Sequence, residues 1–141
     1  MNPKDFLTEK TTCVLAKGES VLTSESAGIR PMLDWIGEGR DLRGFSAADR
    51  IVGKAAAMLF VYAGITNVYA EVLSLPGKKY LEEHGITIGF GTLTERIINR
   101  RGDGLCPMEE TVLNIDDASE AYKALKAKAE ALKAAARAEK R

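Results

Sequence analysis

Apolar and polar residues follow two different periods along this chain, and the changes of period predict its secondary structure. Residues 11–17 and 21–26 have the composition of β-strands, and the turn residues Gly18-Glu19-Ser20 between them favour a hairpin. Runs rich in β-branched and aromatic residues predict two further strands at 65–73 and 86–93. The pattern therefore predicts a small β-sheet.

Helical periodicity predicts six segments around these strands. They are a short opening helix at 6–10, a helix opened by Pro31 and ended by Gly37, an apolar helix from Ser46 to Gly64, helices at 78–84 and after Cys106, and a final helix from Asp117. The third segment has the clearest signals, because Ser46 can cap it and Asp49 completes a variant of the capping box. It is apolar on nearly every side, so we expect it at the centre of the domain.

The final helix carries an apolar stripe with a period of 3.6 residues. The stripe consists of Ala118, Ala121, Tyr122, Leu125, Ala129 and Leu132. We expect residues 1–116 to form one domain, helix 117–141 to pack against it, and the tail beyond Leu132 to fray. Strands that alternate with helices imply a sheet covered on both faces, so the fold class is α/β.

Composition excludes several classes of function. The 141 residues hold 20 basic and 20 acidic side chains, which argues against a nucleic-acid binder with a generally basic surface. The longest uncharged apolar stretch, 55–65, is far shorter than the roughly 20 residues of a membrane span. The N-terminus has no apolar signal core, and Cys13 and Cys106 lie far apart without a CxxC pair. A reduced, cytoplasmic protein is the simplest interpretation.

Cys106 is the most informative candidate for chemistry. Pro107 suits the first position of a helix, which makes Cys106 its N-cap, where backbone N–H groups favour a thiolate. Glu109 and Glu110 in the same first turn oppose that charge. Two interpretations remain: a nucleophilic or ligand-contacting thiol, and a small, half-buried thiol that merely closes a helix end.

Three other sets of residues have a functional and a structural interpretation each. Lys54 interrupts an apolar helix, which leaves two interpretations. Its ammonium group faces a pocket, where it pairs with an anion or with the Cys106 thiolate, or its side chain extends to the surface. Asp49 caps the helix or accepts hydrogen bonds from a ligand. Exposed arginines in loops clamp a phosphate or carboxylate, or are simply solvated: Arg30, Arg100 and Arg101.

Two segments, 49–57 and 106–113, make the chain resemble a bacterial family, domain of unknown function 1893, with weaker support from Gly28-Ile29-Arg30-Pro31. The resemblance covers roughly residues 10–125. That family is similar in fold to the cytidine deaminases. The resemblance therefore implies a three-layer α-β-α sandwich with a mixed sheet of about four to five strands, and two helix N-termini that face a pocket.

The zinc-binding pattern of the active deaminases is incomplete in this chain. One of their helices supplies a His or Cys ligand and, two residues on, a Glu; another supplies Cys-x-x-Cys. The first motif would fall near Gly53-Lys54-Ala55 or Asp49-Arg50-Ile51, and neither provides both groups. The second keeps Cys106 but has Glu109 in place of its second Cys. Catalytic zinc needs three protein ligands, so we expect no metal and no other cofactor.

These observations support three hypotheses. The first is a protein that has kept the pocket without the metal and binds a nucleoside- or nucleotide-like metabolite, with Cys106, Gly28, Arg30, Glu109, Arg100 and Arg101 around it. The second is an enzyme in which Cys106 is the nucleophile, Lys54 stabilises negative charge and Asp49 orients the substrate. The third is an assembly protein that uses the final helix. A homo-oligomer is compatible with each of them.

Overall fold

The computed structural model describes residues 2–99 and 101–139, which form one mixed sheet of five strands with the order β2-β1-β3-β4-β5. The strands are β1 (Cys13–Lys17), β2 (Ser20–Ser24), β3 (Ser46–Val52), β4 (Asn67–Ser74) and β5 (Thr87–Thr94). The α-helices are α1 (Arg30–Gly37), α2 (Lys54–Ala63), α3 (Leu75–Glu83), α4 (Pro107–Thr111) and α5 (Ala118–Glu139). The predicted α/β class with a mixed sheet is confirmed.

The predicted hairpin is confirmed. Strands β1 and β2 pair antiparallel with Lys17 opposite Ser20, which leaves a two-residue turn. Gly18, the first residue of that turn, has φ +57°, a conformation that favours glycine. Strand β1 also pairs antiparallel with β3, whereas β3, β4 and β5 are parallel to one another.

The prediction that one helix runs from Ser46 to Gly64 was wrong in its first half. Residues Ser46–Val52 form the central strand β3, which pairs with β1 on one side and with β4 on the other. Two neighbouring strands satisfy its backbone, and this tertiary pairing overrides the local capping pattern. Helix α2 begins only at Lys54 and ends as predicted at Gly64, which has φ +84°.

Two other helix starts differ from the prediction. The opening turn is a 3₁₀ helix at Pro3–Phe6, earlier than the predicted 6–10, because Asn2 caps it by accepting from the Lys4 N–H. Helix α3 begins at Leu75, where the Ser74 hydroxyl accepts from the Gly77 N–H at 3.0 Å.

The core lies between the sheet and α2, which is buried from Ala55 to Phe60. Helices α2 and α3 pack side by side, as right-handed crossovers between parallel strands require. The 3₁₀ turn packs against β1 and β3 on the other face, where the Lys4 ammonium lies 4.7 Å from the centre of the Tyr69 ring. The second outer layer of the predicted sandwich is therefore thin.

Helix α5 packs against α2, and its buried residues lie in its N-terminal half. Its buried residues are Ala121 and Leu125, and Tyr122 stacks on Tyr62 of α2 with ring centres 5.1 Å apart. Helix α5 extends to Glu139, and Leu132 within it is 40 % exposed. Within the described residues, no helix is both long and apolar enough to span a bilayer.

Candidate functional site

A cavity of about 870 Å³ opens beside the carboxyl end of β3, and we call it the Asp49 cavity. Its lining includes Asp49 and Ile51 of β3, Ala55 of α2, and Cys106 and Met108 around the start of α4. The distal half of α5 closes one side with Ala129, Leu132, Lys133 and Ala136. In open α/β sheets, ligands bind outside the carboxyl ends of the strands, and this volume lies within the usual range for small-molecule sites.

Three helices begin at this cavity, whereas the family resemblance implies two. The segment Gly28-Ile29-Arg30 leads into α1, Gly53 is the N-cap of α2, and Cys106 is the N-cap of α4. Gly28 has φ +62°, which allows the turn before α1.

Glu109 is the residue that joins two of these helices. Its Oε1 accepts from the Lys54 N–H and its Oε2 from the Ala55 N–H, both at 2.8 Å, so a side chain of α4 caps α2. Glu109 is only 7 % exposed. Burial raises the pKa of its carboxyl group, while the two N–H donors and the Lys54 ammonium oppose that rise.

The Glu109 cap requires glycine at position 53. A β-carbon at position 53 would lie 2.6 Å from Glu109 Cδ, so any side chain would displace the carboxylate. Gly77 packs against the same point, where its own β-carbon would come within 2.9 Å of the Gly53 carbonyl carbon. No local sequence signal reveals this cap, because 55 positions separate Lys54 from Glu109.

The prediction that Asp49 caps a helix was wrong. Asp49 is a buried residue of strand β3, and it lines the cavity. Its Oδ1 accepts from the Arg50 N–H at 2.9 Å, the only hydrogen bond of this carboxyl group within residues 2–99 and 101–139. Burial raises the pKa of Asp49 well above its ordinary value. Cys13 lies directly across on β1, and burial together with the Asp49 charge raises the pKa of its thiol.

Lys54 does not face the cavity or the Cys106 thiol, which corrects the functional interpretation of this residue. Its ammonium donates to the Val112 carbonyl at 2.8 Å and to the Leu113 carbonyl at 3.3 Å, beyond the end of α4. Lysine commonly satisfies carbonyl groups at the end of a helix in this way. Lys54 lies at the first position of α2, where the chain has just left the sheet, rather than inside a helix.

Cys106 is the N-cap of α4, as predicted, and its side chain makes no capping hydrogen bond. The residue is half-buried and lines the cavity, and its N–H donates to the Ile97 carbonyl at 3.0 Å. Helix α4 has only five residues, and the Lys54 ammonium points elsewhere. The structure therefore provides an accessible thiol without the predicted lysine partner.

The arginines differ in their relation to the cavity. Arg30 is exposed and lines it, together with Lys133 of α5, and neither makes a salt bridge in the described part of the chain. Arg101 is exposed and is not among the lining residues, so the prediction that it contacts the pocket is not met. Arg100 lies outside the described residues. Lys133 was not among the predicted site residues. It directly follows Leu132, the last residue of the apolar stripe predicted for α5.

None of the helix starts supplies a zinc site. The segments Gly28-Ile29-Arg30 and Gly53-Lys54-Ala55 contain no His, Cys or Glu. In residues 2–99 and 101–139, no group of three or more His, Cys, Asp or Glu side chains could hold a metal ion. Glu109, which the resemblance placed at a ligand position, instead binds the N–H groups of α2.

Comparison with known proteins shows the family. The model of the family described as domain of unknown function (DUF1893) matches residues 3–129, so the chain belongs to this family. A crystal structure of a DUF1893 family protein from Thermotoga maritima is 26 % identical, with a TM-score of 0.80, over 89 % of this chain and 85 % of that one.

A second structure is more distant. It is a diaminohydroxyphosphoribosylaminopyrimidine deaminase/5-amino-6-(5-phosphoribosylamino)uracil reductase from Thermotoga maritima. The identity is 16 % and the TM-score 0.46, over 72 % of this chain and 34 % of that protein. A search of curated proteins finds no match.

Proposed function

We propose that this DUF1893 protein binds a small nucleotide-like metabolite in the Asp49 cavity. The base of the ligand contacts Asp49 on the floor of the cavity, and its phosphate lies between Arg30 and Lys133. The two free thiols, Cys13 and Cys106, fit a reducing compartment such as the cytoplasm.

The observation that carries this proposal is the single hydrogen bond of Asp49. Asp49 is buried and lines the cavity, and its second carboxyl oxygen has no hydrogen bond among the described residues, so this oxygen is a candidate for ligand contact. Burial raises its pKa and therefore favours the protonated form, which presents an O–H donor next to a carbonyl acceptor. That pair matches a ring nitrogen beside an amino group, the edge shared by cytosine and adenine.

The distribution of charge supports a ligand with an anionic end. Arg30 and Lys133 are the exposed basic residues without a described salt bridge that line the cavity, whereas its interior is mostly apolar. Arg suits bidentate contacts with phosphate. The apolar residues Ile51, Ala55 and Met108 would pack against the faces of a ring.

The alternative of a cysteine-dependent enzyme has less support. Cys106 lines the same cavity, but the Lys54 ammonium that would stabilise negative charge binds the Val112 carbonyl instead. A nucleophilic thiol also needs an adjacent base, and the nearest acidic residue in α4, Glu109, is held by α2. We therefore favour binding, with Cys106 as part of the wall.

A thermal-shift screen tests the proposal. The probes are cytidine, adenosine and uridine with their 5′-monophosphates, and the proteins are wild type, Asp49→Ala and Arg30→Ala. We expect the cytidine or adenosine monophosphate to stabilise wild type more than the nucleoside and more than the uridine compounds. Asp49→Ala should lose the response, and Arg30→Ala should lose the difference between monophosphate and nucleoside. A flat response of wild type to all six compounds would overturn the proposal.

A further inference from the structure

Strand β5 forms one edge of the sheet, and most of its residues are exposed. In the part of the chain that the structure describes, β4 is its only neighbouring strand. The strand has eight residues, Thr87–Thr94, and contains no charged side chain. Phe90 is 42 % exposed and Leu93 is 40 % exposed. Natural proteins usually protect such an edge with lysine, proline, a bulge or a covering segment. Strand β5 contains neither lysine nor proline, and its constant register with β4 shows no bulge.

The opposite edge differs in length and charge. Strand β2 has five residues, and the charged Glu19 and Glu25 flank it closely. The outward N–H and C=O groups of an exposed edge strand can pair with the extended backbone of a partner strand. The longer, uncharged β5 is therefore better suited than β2 to pair with a partner strand.

We propose that a second copy of this chain pairs its β5 antiparallel with β5 of the first, which joins the two sheets into one continuous sheet. A strand without charge meets no like-charge repulsion when it faces itself, and the chain as a whole has a formal net charge of zero. A two-fold axis satisfies both edges at once and closes the assembly, whereas pairing of β5 with β2 would continue without end.

The charges of α3 fit this arrangement. Helix α3 packs against β5 at the same edge, and a two-fold axis perpendicular to the sheet places the two α3 helices side by side and antiparallel. Lys78 and Lys79 lie in the first half of α3, and Glu82 and Glu83 lie at its end. In the antiparallel pair, the basic half of one helix therefore lies opposite the acidic end of the other. Within one helix Lys78 pairs with Glu82 at 2.9 Å, and Lys79 pairs with Glu83 at 3.8 Å. Lys79 is nevertheless 80 % exposed and Glu83 54 % exposed, so each can also reach a charge on the other helix.

The test is the mass in solution, measured by size-exclusion chromatography with light scattering. The variant Thr92→Lys places a charge on the exposed edge, and Thr23→Lys makes the same change on exposed β2 as its matched control. We expect wild type and Thr23→Lys to have about twice the 15.3 kDa chain mass, and Thr92→Lys to have the chain mass itself. Monomeric wild type, a dimer that Thr92→Lys leaves intact, or dissociation by Thr23→Lys would each overturn the proposal.

Hydrogen exchange gives a second readout that does not depend on the variant. The amide groups of residues 87–94 should exchange more slowly in wild type at high protein concentration than after dilution. Amide groups of β2 should show no such dependence. Circular dichroism of the variants establishes that both remain folded, so a change of mass reports on the edge. Exchange in β5 that is independent of concentration would contradict the pairing.

Discussion

The Glu109 carboxyl group lies against Gly53, so close that a β-carbon at Gly53 would sit 2.6 Å from Glu109 Cδ and 2.9 Å from Oε2. A residue without a side chain thus lets an acidic group from another helix reach the first N–H groups of α2. This relationship couples α4 to α2 and holds Cys106 and Met108 in the wall of the Asp49 cavity.

Substitution of Gly53 by alanine should destabilise the protein through Glu109. The added methyl group displaces the carboxylate, and the two amide donors lose their acceptor. We expect a loss of about 2–4 kcal/mol in the free energy of unfolding, from overpacking and unpaired buried groups together. Urea denaturation of Gly53→Ala, Glu109→Ala and the double variant measures it. The double variant should lose less than the sum of the two, and simple additivity would contradict the coupling.

Asp49 should make stability depend on pH in a defined direction. Its pKa is raised in the folded protein, so the folded state keeps a proton that the unfolded chain releases near the ordinary value of 3.8. The protonated Asp49 carboxyl group therefore contributes fully to the free energy of unfolding below about pH 4. This contribution is lost as the pH rises through the pKa of Asp49 in the folded protein.

Asp49→Asn stays neutral and keeps the acceptor for the Arg50 N–H. We expect it to match wild type near pH 4 and to be more stable than wild type at pH 7, by a difference in the free energy of unfolding that grows as the pH rises above 4. Denaturation at both pH values provides the comparison. A difference of the same size at pH 4 and pH 7 would show that the Asp49 charge is not responsible.

Lys54 should matter for stability and not for binding. Lys54→Met removes the hydrogen bonds to the carbonyl groups of Val112 and Leu113, and we expect a loss of about 1–2 kcal/mol. The reactivity of Cys106 towards a thiol reagent should remain within a factor of about two, because the ammonium group lies elsewhere. A large change in the Cys106 labelling rate would restore the interpretation that the two side chains interact.

The sequence predicted the elements whose signals are local. The hairpin at Gly18, the end of α2 at Gly64 and the helix start at Cys106-Pro107 depend on turn and cap residues that act within a few positions. Strand β3 has equally local signals for a helix at Ser46 and Asp49, yet its two neighbouring strands decide its conformation. No pattern within the segment itself carries that information.

The site could be predicted only in part for the same reason. Cys106, Gly28, Arg30 and Asp49 do line one cavity, because helix and strand ends meet at the carboxyl edge of the sheet. The partners of Lys54 and Glu109 lie more than 50 residues away in sequence, and no short-range rule identifies them. Their roles follow from how α2 and α4 are placed, which only the tertiary structure determines.

The distal half of α5 should affect ligand binding more than folding. Its buried residues, Ala121 and Leu125, precede the part that lines the cavity, Ala129–Ala136. We expect a variant that ends at Lys128 to keep its melting temperature within about 3 °C, equivalent to roughly 1 kcal/mol, and to bind the stabilising nucleotide more weakly. The thermal melt in the absence and presence of nucleotide shows both effects. A collapse of the unliganded melting temperature would assign α5 a structural role instead.

The measurement that tests the central claim most directly is a calorimetric titration with the nucleoside monophosphates of cytosine and adenine, using wild type, Asp49→Asn and Asp49→Ala. Asparagine presents the same donor and acceptor as the neutral carboxyl group, and alanine presents neither. Binding to Asp49→Asn should stay within a few-fold of wild type, and Asp49→Ala should bind at least about tenfold more weakly, as expected for two lost hydrogen bonds. Equal affinity of all three proteins would contradict recognition of the base by Asp49.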